Sequence, residues 1–174
     1  MRNIFLTVCI IFSVLIYSKA EAATILYDTD ASRVLGINGL DLGTLGTWNV
    51  DFVYGNYTGI FGTSFDFNTY SDALTATTEI KDVLNTDNGI TLGKDGTHTS
   101  NELYVPYDES SGFILAVKTR YDGSDWTAPA SSNSLLPGAD VIYSKFSAVP
   151  IPAAFWLLGS GLVGLLGFRR KIRN

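Results

Sequence analysis

Of the 174 residues, the stretch 23–148 carries six Lys and Arg against sixteen Asp and Glu, a formal charge of −10, while the remaining basic residues sit at the two ends of the chain. So acidic a surface excludes nucleic acid as a partner and disfavours anionic membranes, because phosphate groups are bound through clustered Lys and Arg. The single cysteine, Cys9, lies in the N-terminal apolar run, so the rest of the chain has no disulfide, thiolate catalyst or thiol metal site.

The chain opens with Arg2 and an uncharged run over 3–18, followed by Ala20-Glu21-Ala22. A basic start, an apolar middle and an A-x-A site at Ala20 and Ala22 form the layout of a secretory signal peptide, expected as a helix over 1–22 that the Sec translocon accepts and signal peptidase removes. The alternative is an uncleaved membrane helix, for which the run is short. Cys9 is not a lipoprotein acceptor, since it sits early in the run behind Thr7 and Val8. The mature protein then starts at Ala23.

Residues 23–148 are enough for one domain with a modest core and too few for two. Over 34–39 the text is a strand running into an Asn38-Gly39 turn. Trp48, Val50, Phe52 and Tyr54 then alternate with Asn49, Asp51 and Val53, the clearest strand of the chain, and the two are expected to form a hairpin. The aromatic, Gly-, Asn- and Thr-rich stretch 55–67 reads as a loop or a short irregular strand.

Ala73, Ala76, Ile80, Val83 and Leu84 recur at three- and four-residue steps, which predicts one helix over 71–85 with Ser71 as its cap and Asp72 at its positive end. Residues 88–101 read as an exposed loop. Leu103 to Val105 is a short strand that Pro106 cuts and places at an edge. A strong strand follows over 113–121, Asp122-Gly123 turns it, 128–138 is loose, and 141–146 is the last strand. The expected fold class is α+β: a small, mostly antiparallel β domain with one helix, flanked by the signal helix and a C-terminal transmembrane helix. Nothing repeats at 20 to 50 residues, which argues against a solenoid or propeller.

Candidate chemistry is sparse. His98 is the only histidine, in a Thr- and Ser-rich loop, and no Gly-x-Ser-x-Gly stretch supplies a nucleophile for it, so it reads as an exposed loop residue and no catalytic residue is assigned. Asp28-Thr29-Asp30 begins like a calcium loop, but Arg33 and Gly39 stand where Gly and Glu are required. Asp87-Asn88, Asp108-Glu109 and Asp122 to Asp125 have oxygen ligands for a looser calcium site, against the simpler reading of solvated turns. No metal or cofactor is assigned. Among the aromatics Trp48, Tyr54, Tyr57, Phe61, Tyr104, Tyr107 and Trp126, which serve either core or sugar stacking, Tyr57 and Trp126 lie in polar turns and are the first choices for contact with glycan.

The tail, 149–174, is the most specific text in the chain. Val149-Pro150-Ile151-Pro152 is followed by sixteen uncharged residues over 153–168 and then by Arg169, Arg170, Lys171 and Arg173. At ~1.5 Å per residue the run reaches about 24 Å, a marginal span for a ~30 Å hydrocarbon core, and the basic cluster would hold its end on the cytoplasmic side. Ser160 and Gly164 make a small-xxx-small pair.

The order of motif, weak span and basic cluster resembles the PEP-CTERM sorting signal of Gram-negative bacteria, in its Val-Pro-x-Pro-Ala-Ala variant. Val149, Pro150, Pro152, Ala153, Ala154, Trp156, Gly159-Ser160-Gly161, Gly164, Gly167 and the Arg169-Arg170-Lys171 cluster fall where that variant has such residues. Ile151 departs from the commoner motif, which has Glu between the prolines. The resemblance implies recognition by an exosortase, a transient C-terminal membrane span, release to the cell surface or matrix, and exopolysaccharide as a partner in a biofilm-forming organism. The expected function is a non-enzymatic surface or matrix component. The alternatives are a secreted hydrolase of matrix glycan and a plain membrane-anchored binding module.

Overall fold

The computed structural model describes residues 22–29, 33–87, 91–92 and 100–149. They form one sheet of eight strands: β1 Thr24–Tyr27, β2 Arg33–Asp41, β3 Thr47–Gly55, β4 Thr91–Leu92, β5 Glu102–Ser110, β6 Phe113–Arg120, β7 Ala130–Leu135 and β8 Val141–Ala148. The order across the sheet is β1-β2-β3-β8-β5-β6-β7, with the two-residue β4 parallel to β2. Two helices accompany it, α1 Tyr57–Phe61 and α2 Tyr70–Leu84.

This corrects the expected α+β class: the structure is mostly β, 49% strand with few helices. Among the described residues no helix is long and apolar enough to cross a membrane. The expected C-terminal transmembrane helix over 153–168 is not seen, its residues lying, like those of the signal segment 1–21, outside the described ones.

The last strand, β8, lies in the middle of the sheet. It runs antiparallel along the whole of β3, from Trp48 opposite Ala148 to Gly55 opposite Val141, and meets β5 in parallel at one registered pair, Tyr104 and Tyr143. The β3 alternation is real: Val50 and Phe52 are fully buried while Asp51 between them is exposed. The hairpin of β2 and β3 also forms, but the chain does not turn at Asn38-Gly39. There β2 continues to Asp41 across a register shift between Ile37 and Leu40, with Gly39 at a φ of 70° that favours glycine, its N–H donated to Asn49 Oδ1 at 3.0 Å.

Each sheet face has its own core. On one, α2 lays Ala73, Ala76, Ile80 and Leu84 on Val34, Phe52, Leu103, Val105, Val117 and Ile142. The helix starts one residue earlier than its apolar spacing suggests, because Thr69 rather than Ser71 caps it, accepting the Asp72 N–H at 3.1 Å. On the other face, α1 lays Tyr57 and Phe61 on Tyr104, Ile114, Ala116 and Tyr143. This second helix, in the stretch expected to be loop or irregular strand, is capped by Asn56, which accepts the Gly59 N–H at 2.8 Å.

Two further expectations are overturned by pairing. Pro106 does not end a short edge strand: β5 runs on to Ser110, internal to the sheet, and absorbs the proline at a bulge between Pro106 and Asp108. The stretch 128–138 is not all loose, since β7 pairs with β6 from Ile114 opposite Leu135 to Lys118 opposite Ala130.

Candidate functional site

The tail motif meets the domain at Val149. The β3–β8 ladder ends with Trp48 opposite Ala148, and the Val149 N–H makes one more bond, to the Thr47 carbonyl at 3.2 Å. Val149 itself is 37% exposed. The chain leaves the sheet where the motif begins, and Pro150, Ile151, Pro152, Arg169, Arg170, Lys171 and Arg173 lie outside the described residues, as do Ala20 and His98. At the other end Ala22 is exposed, two residues before β1.

Inside the domain, the groups nearest to a chemical site lie on the α1 face. Glu102 accepts from the Tyr104 hydroxyl at 2.8 Å and from Lys118 Nζ at 3.1 Å, and the Lys118 ammonium stands 5.9 Å from the Tyr104 ring centroid. Burial alone would raise the Glu102 carboxyl, but these two bonds with the Lys118 and Arg120 charges bring it below the usual range. Tyr104 is pushed the other way by burial and by the adjacent Glu102 carboxylate. Tyr57 and Tyr143 both rise to about 12, chiefly through burial. All three phenols therefore stay protonated at neutral pH and pack as neutral rings, with Tyr57 and Tyr104 also donating hydrogen bonds.

The two aromatics singled out for glycan are not at the surface. Tyr57 is 3% exposed, stacked on Phe61 with its hydroxyl on the Ser64 carbonyl at 2.7 Å. Trp126 is 2% exposed under the end of α2. Polar neighbours in sequence suggest exposed turns for both, but Tyr57 opens helix α1 with its ring inward and the turn before Trp126 also folds its ring into the core.

The acidic stretches resolve into local bonds. Asp122 accepts three bonds on one oxygen, from the Ser124 N–H and hydroxyl at 2.9 Å and from the Asp125 N–H at 3.1 Å, and the Asp125 and Ser124 donors hold its carboxyl below the usual range. Asp108 accepts from the Glu109 N–H, Asp87 from the Tyr27 hydroxyl, and Asp28 pairs with Arg33 Nε at 3.0 Å. Among the described residues no group of three or more His, Cys, Asp or Glu is placed to hold a metal ion.

One half-buried carboxylate was not singled out by the sequence. Asp66, between α1 and α2, accepts the Phe146 N–H at 2.8 Å on β8. It supplies an acceptor for a β8 N–H just past the single registered pair that joins β8 to β5. Compared with protein-family models, with characterised proteins and with solved structures, the chain has no match.

Proposed function

We propose that the chain is an exported, non-enzymatic surface or matrix protein, delivered first by the signal peptide 1–22 and then by the sorting tail 149–174, with an exosortase as the processing partner. The observation that carries it is the tail: the Val149-Pro150-Ile151-Pro152 motif, Ala153-Ala154, the Gly159-Ser160-Gly161 run and the Arg169-Arg170-Lys171 cluster in one order. The fold supports it by the position of the motif. Ala148 closes the last strand, so a cut at or beyond Pro150 removes no residue of the sheet.

The surface of residues 23–148, at −10, suits a hydrated matrix in which divalent cations are tolerated and anionic lipid is not. The test is the intact mass of the protein recovered from the cell surface, which reports both ends at once. The expected product lacks 1–22 and lacks the basic cluster 169–173. A surface form that retains Arg169 to Asn174 would favour the plain anchor instead.

A further inference from the structure

Strand β5 is antiparallel to β6 and β6 to β7, while β5 is parallel to β8. Strands β7 and β8 therefore run in the same direction, and the chain has to return from the end of one to the start of the other. Leu135 closes β7 opposite Ile114, which faces Glu109 near the end of β5. Val141 opens β8 two residues before Tyr143, level with Glu102 at the start of β5. The return covers the length of β5 from Glu102 to Glu109, about 23 Å, and three strand spacings across the sheet, about 14 Å. Only Leu136-Pro137-Gly138-Ala139-Asp140 lie between the two strands, where a connection between parallel strands ordinarily takes a dozen residues or more. From Leu135 to Val141 the chain reaches about 20 Å when extended. It is not fully extended, since the Ala139 N–H turns back onto the Leu136 carbonyl at 2.9 Å. Only the twist of the sheet brings the two strand ends within that reach, and the link has no slack.

The strand held by this link is the one that joins the sheet. Strands β1, β2 and β3 lie on one side of β8, and β5, β6 and β7 on the other. Ile142 and Phe146 of β8 enter the α2 core, and Tyr143 enters the α1 core. Asp66 accepts the Phe146 N–H, and the Ile60 carbonyl accepts from Lys145 Nζ. A slot with these partners fits the sequence of β8, and leaving it empty would open both cores and two strand edges. Every one of these contacts is the same whether the strand comes from its own chain or from another copy. Among the described residues the link 136–140 alone ties β8 to the rest of the sheet, and Leu136 at its start is 61% exposed.

We propose that the slot between β3 and β5 takes the β8 strand of a second copy, so that two chains exchange β8 through opened 136–140 links and form a reciprocal dimer. The closed and exchanged forms bury the same surfaces, and the link decides between them. In the closed form five residues have to fold back across three strands. In the exchanged form they run on to the neighbour, and a short, taut hinge is what favours such an exchange. Pro137 supports the open course, because a residue before proline is biased to extended backbone and Leu136 is where the link leaves β7. Against this stands the freedom that one chain loses on association, so the exchange depends on the link being short. The proposal rests on the strand topology and not on the signal or the sorting tail.

The experiment uses the full chain in detergent micelles, with Cys9→Ser, Asp51→Cys and Lys145→Cys. Asp51 and Lys145 are exposed and opposite each other on β3 and β8, so a disulfide between the new cysteines is within reach in either form. The closed form links β3 to β8 within one chain, and the exchanged form links two chains. After oxidation and denaturation without reductant the expected product is a covalent dimer, and an intrachain link on a single chain overturns the proposal. Insertion of seven Gly and Ser residues between Gly138 and Ala139 lengthens the link to a dozen residues and should convert the dimer to the intrachain-linked monomer. A covalent dimer that survives the insertion overturns the link as the cause. Native mass spectrometry of the chain without the new cysteines, with and without the insertion, covers the case in which the cysteine variant fails to fold. The mass should fall twofold on insertion, and an unchanged mass overturns the exchange, whether the chain is single throughout or held together by its apolar ends.

Discussion

Asn85 and Trp126, 41 positions apart, are tied by both ends of one amide: the Asn85 Nδ2 donates to the Trp126 carbonyl at 3.0 Å and its Oδ1 accepts the Trp126 N–H at 2.7 Å. Asn85 is also the residue that closes α2, its own N–H on the Lys81 carbonyl. One side chain therefore ends the helix and fixes the loop that carries the buried indole of Trp126 onto the core. Asn85→Ala strips both partners from a part-buried backbone segment, and at ~1 kcal/mol per bond it should cost about 2 kcal/mol. The expected result is a melting temperature lower by roughly 5 to 10 °C, with Trp fluorescence and circular dichroism falling together. An unchanged melt would mean that the loop is held by the indole alone.

The two-faced core makes a paired prediction on its tyrosines. The Tyr143 hydroxyl is buried without a partner, whereas the Tyr57 hydroxyl donates to the Ser64 carbonyl. Removing an unpaired buried hydroxyl lifts a desolvation cost, and removing a paired one strands a carbonyl. Tyr143→Phe should leave the urea midpoint unchanged or raise it, while Tyr57→Phe should lower stability by about 1 kcal/mol. The reverse order would show that Tyr143 has a partner in solution.

Asp66 sets a pH dependence whose sign follows from its surroundings. Burial raises its carboxyl, and the Phe146 N–H and the Lys145 charge offset only part of that rise. A carboxyl with a folded value above its unfolded one, ~3.9, binds protons more readily in the folded state, so its contribution is present below about pH 4 and is lost as pH rises through the folded value. Asp66→Asn keeps an oxygen for the Phe146 N–H and removes the half-buried charge. The variant should be at least as stable as the parent at pH 7 and should lack the parent's decline in the acid range, measured as urea midpoints from pH 4 to 7. A midpoint that falls at pH 7 would show that the charge is net stabilising through Lys145.

Gly36 gives the most severe expected effect. A Cβ there would lie 2.2 Å from the Val50 carbonyl oxygen and 3.3 Å from the Asp51 Cα, both backbone of the neighbouring strand. Neither can retreat without opening the β2–β3 ladder, so Gly36→Ala should cost 3 kcal/mol or more, roughly, as an overpacked position does. Expression of a soluble, cooperatively melting variant would show that the strands are looser at this point than their register implies.

What was legible in the sequence is what depends on near neighbours. The β3 alternation and the apolar steps of α2 are period signals, and both elements stand within a residue or so of their expected bounds. What was not legible depends on partners far along the chain. Strand β7, Ala-Ser-Ser-Asn-Ser-Leu, has almost no strand propensity and exists because β6 offers it a ladder. Pro106 looks like a strand end until a bulge opposite Leu115 accommodates it. The short helix α1 did leave a local trace: Asn56 three residues before Gly59 is a cap signal, and Tyr57 and Phe61 are one turn apart. Trp126 was misplaced because its turn is polar, and only the distant Asn85 shows why the ring goes inward. The candidate site divides in the same way, since the tail motif is read from the sequence alone and lies past Val149 outside the described residues, while Asp66 needs the sheet around it to be noticed.

The last prediction concerns the prolines of the tail. Val149 makes the final backbone bond of the domain, to Thr47, and the next residue has no N–H to continue any ladder or helix. Pro152 repeats the block two residues later, and a residue that precedes a proline, as Ile151 does in the sequence, disfavours the helical region. A protease that reads an extended backbone would meet a segment kept from regular structure on both sides. Replacing Pro150 and Pro152 together by Ala restores two N–H groups and lifts both restrictions, so the region is free to enter helix and to hide its backbone from the enzyme. Under the proposed sorting by an exosortase, the double variant should accumulate uncut in the cells, with no product at the surface and with residues 23–148 melting as in the parent. Ile151→Glu, which keeps both prolines and matches the commoner motif, should still be cut. Blots of cell and surface fractions, with the C-terminal peptide read by mass spectrometry, separate the outcomes. Normal processing of the double variant would show that the prolines are not read, and would move the recognised element to the apolar run or the basic cluster.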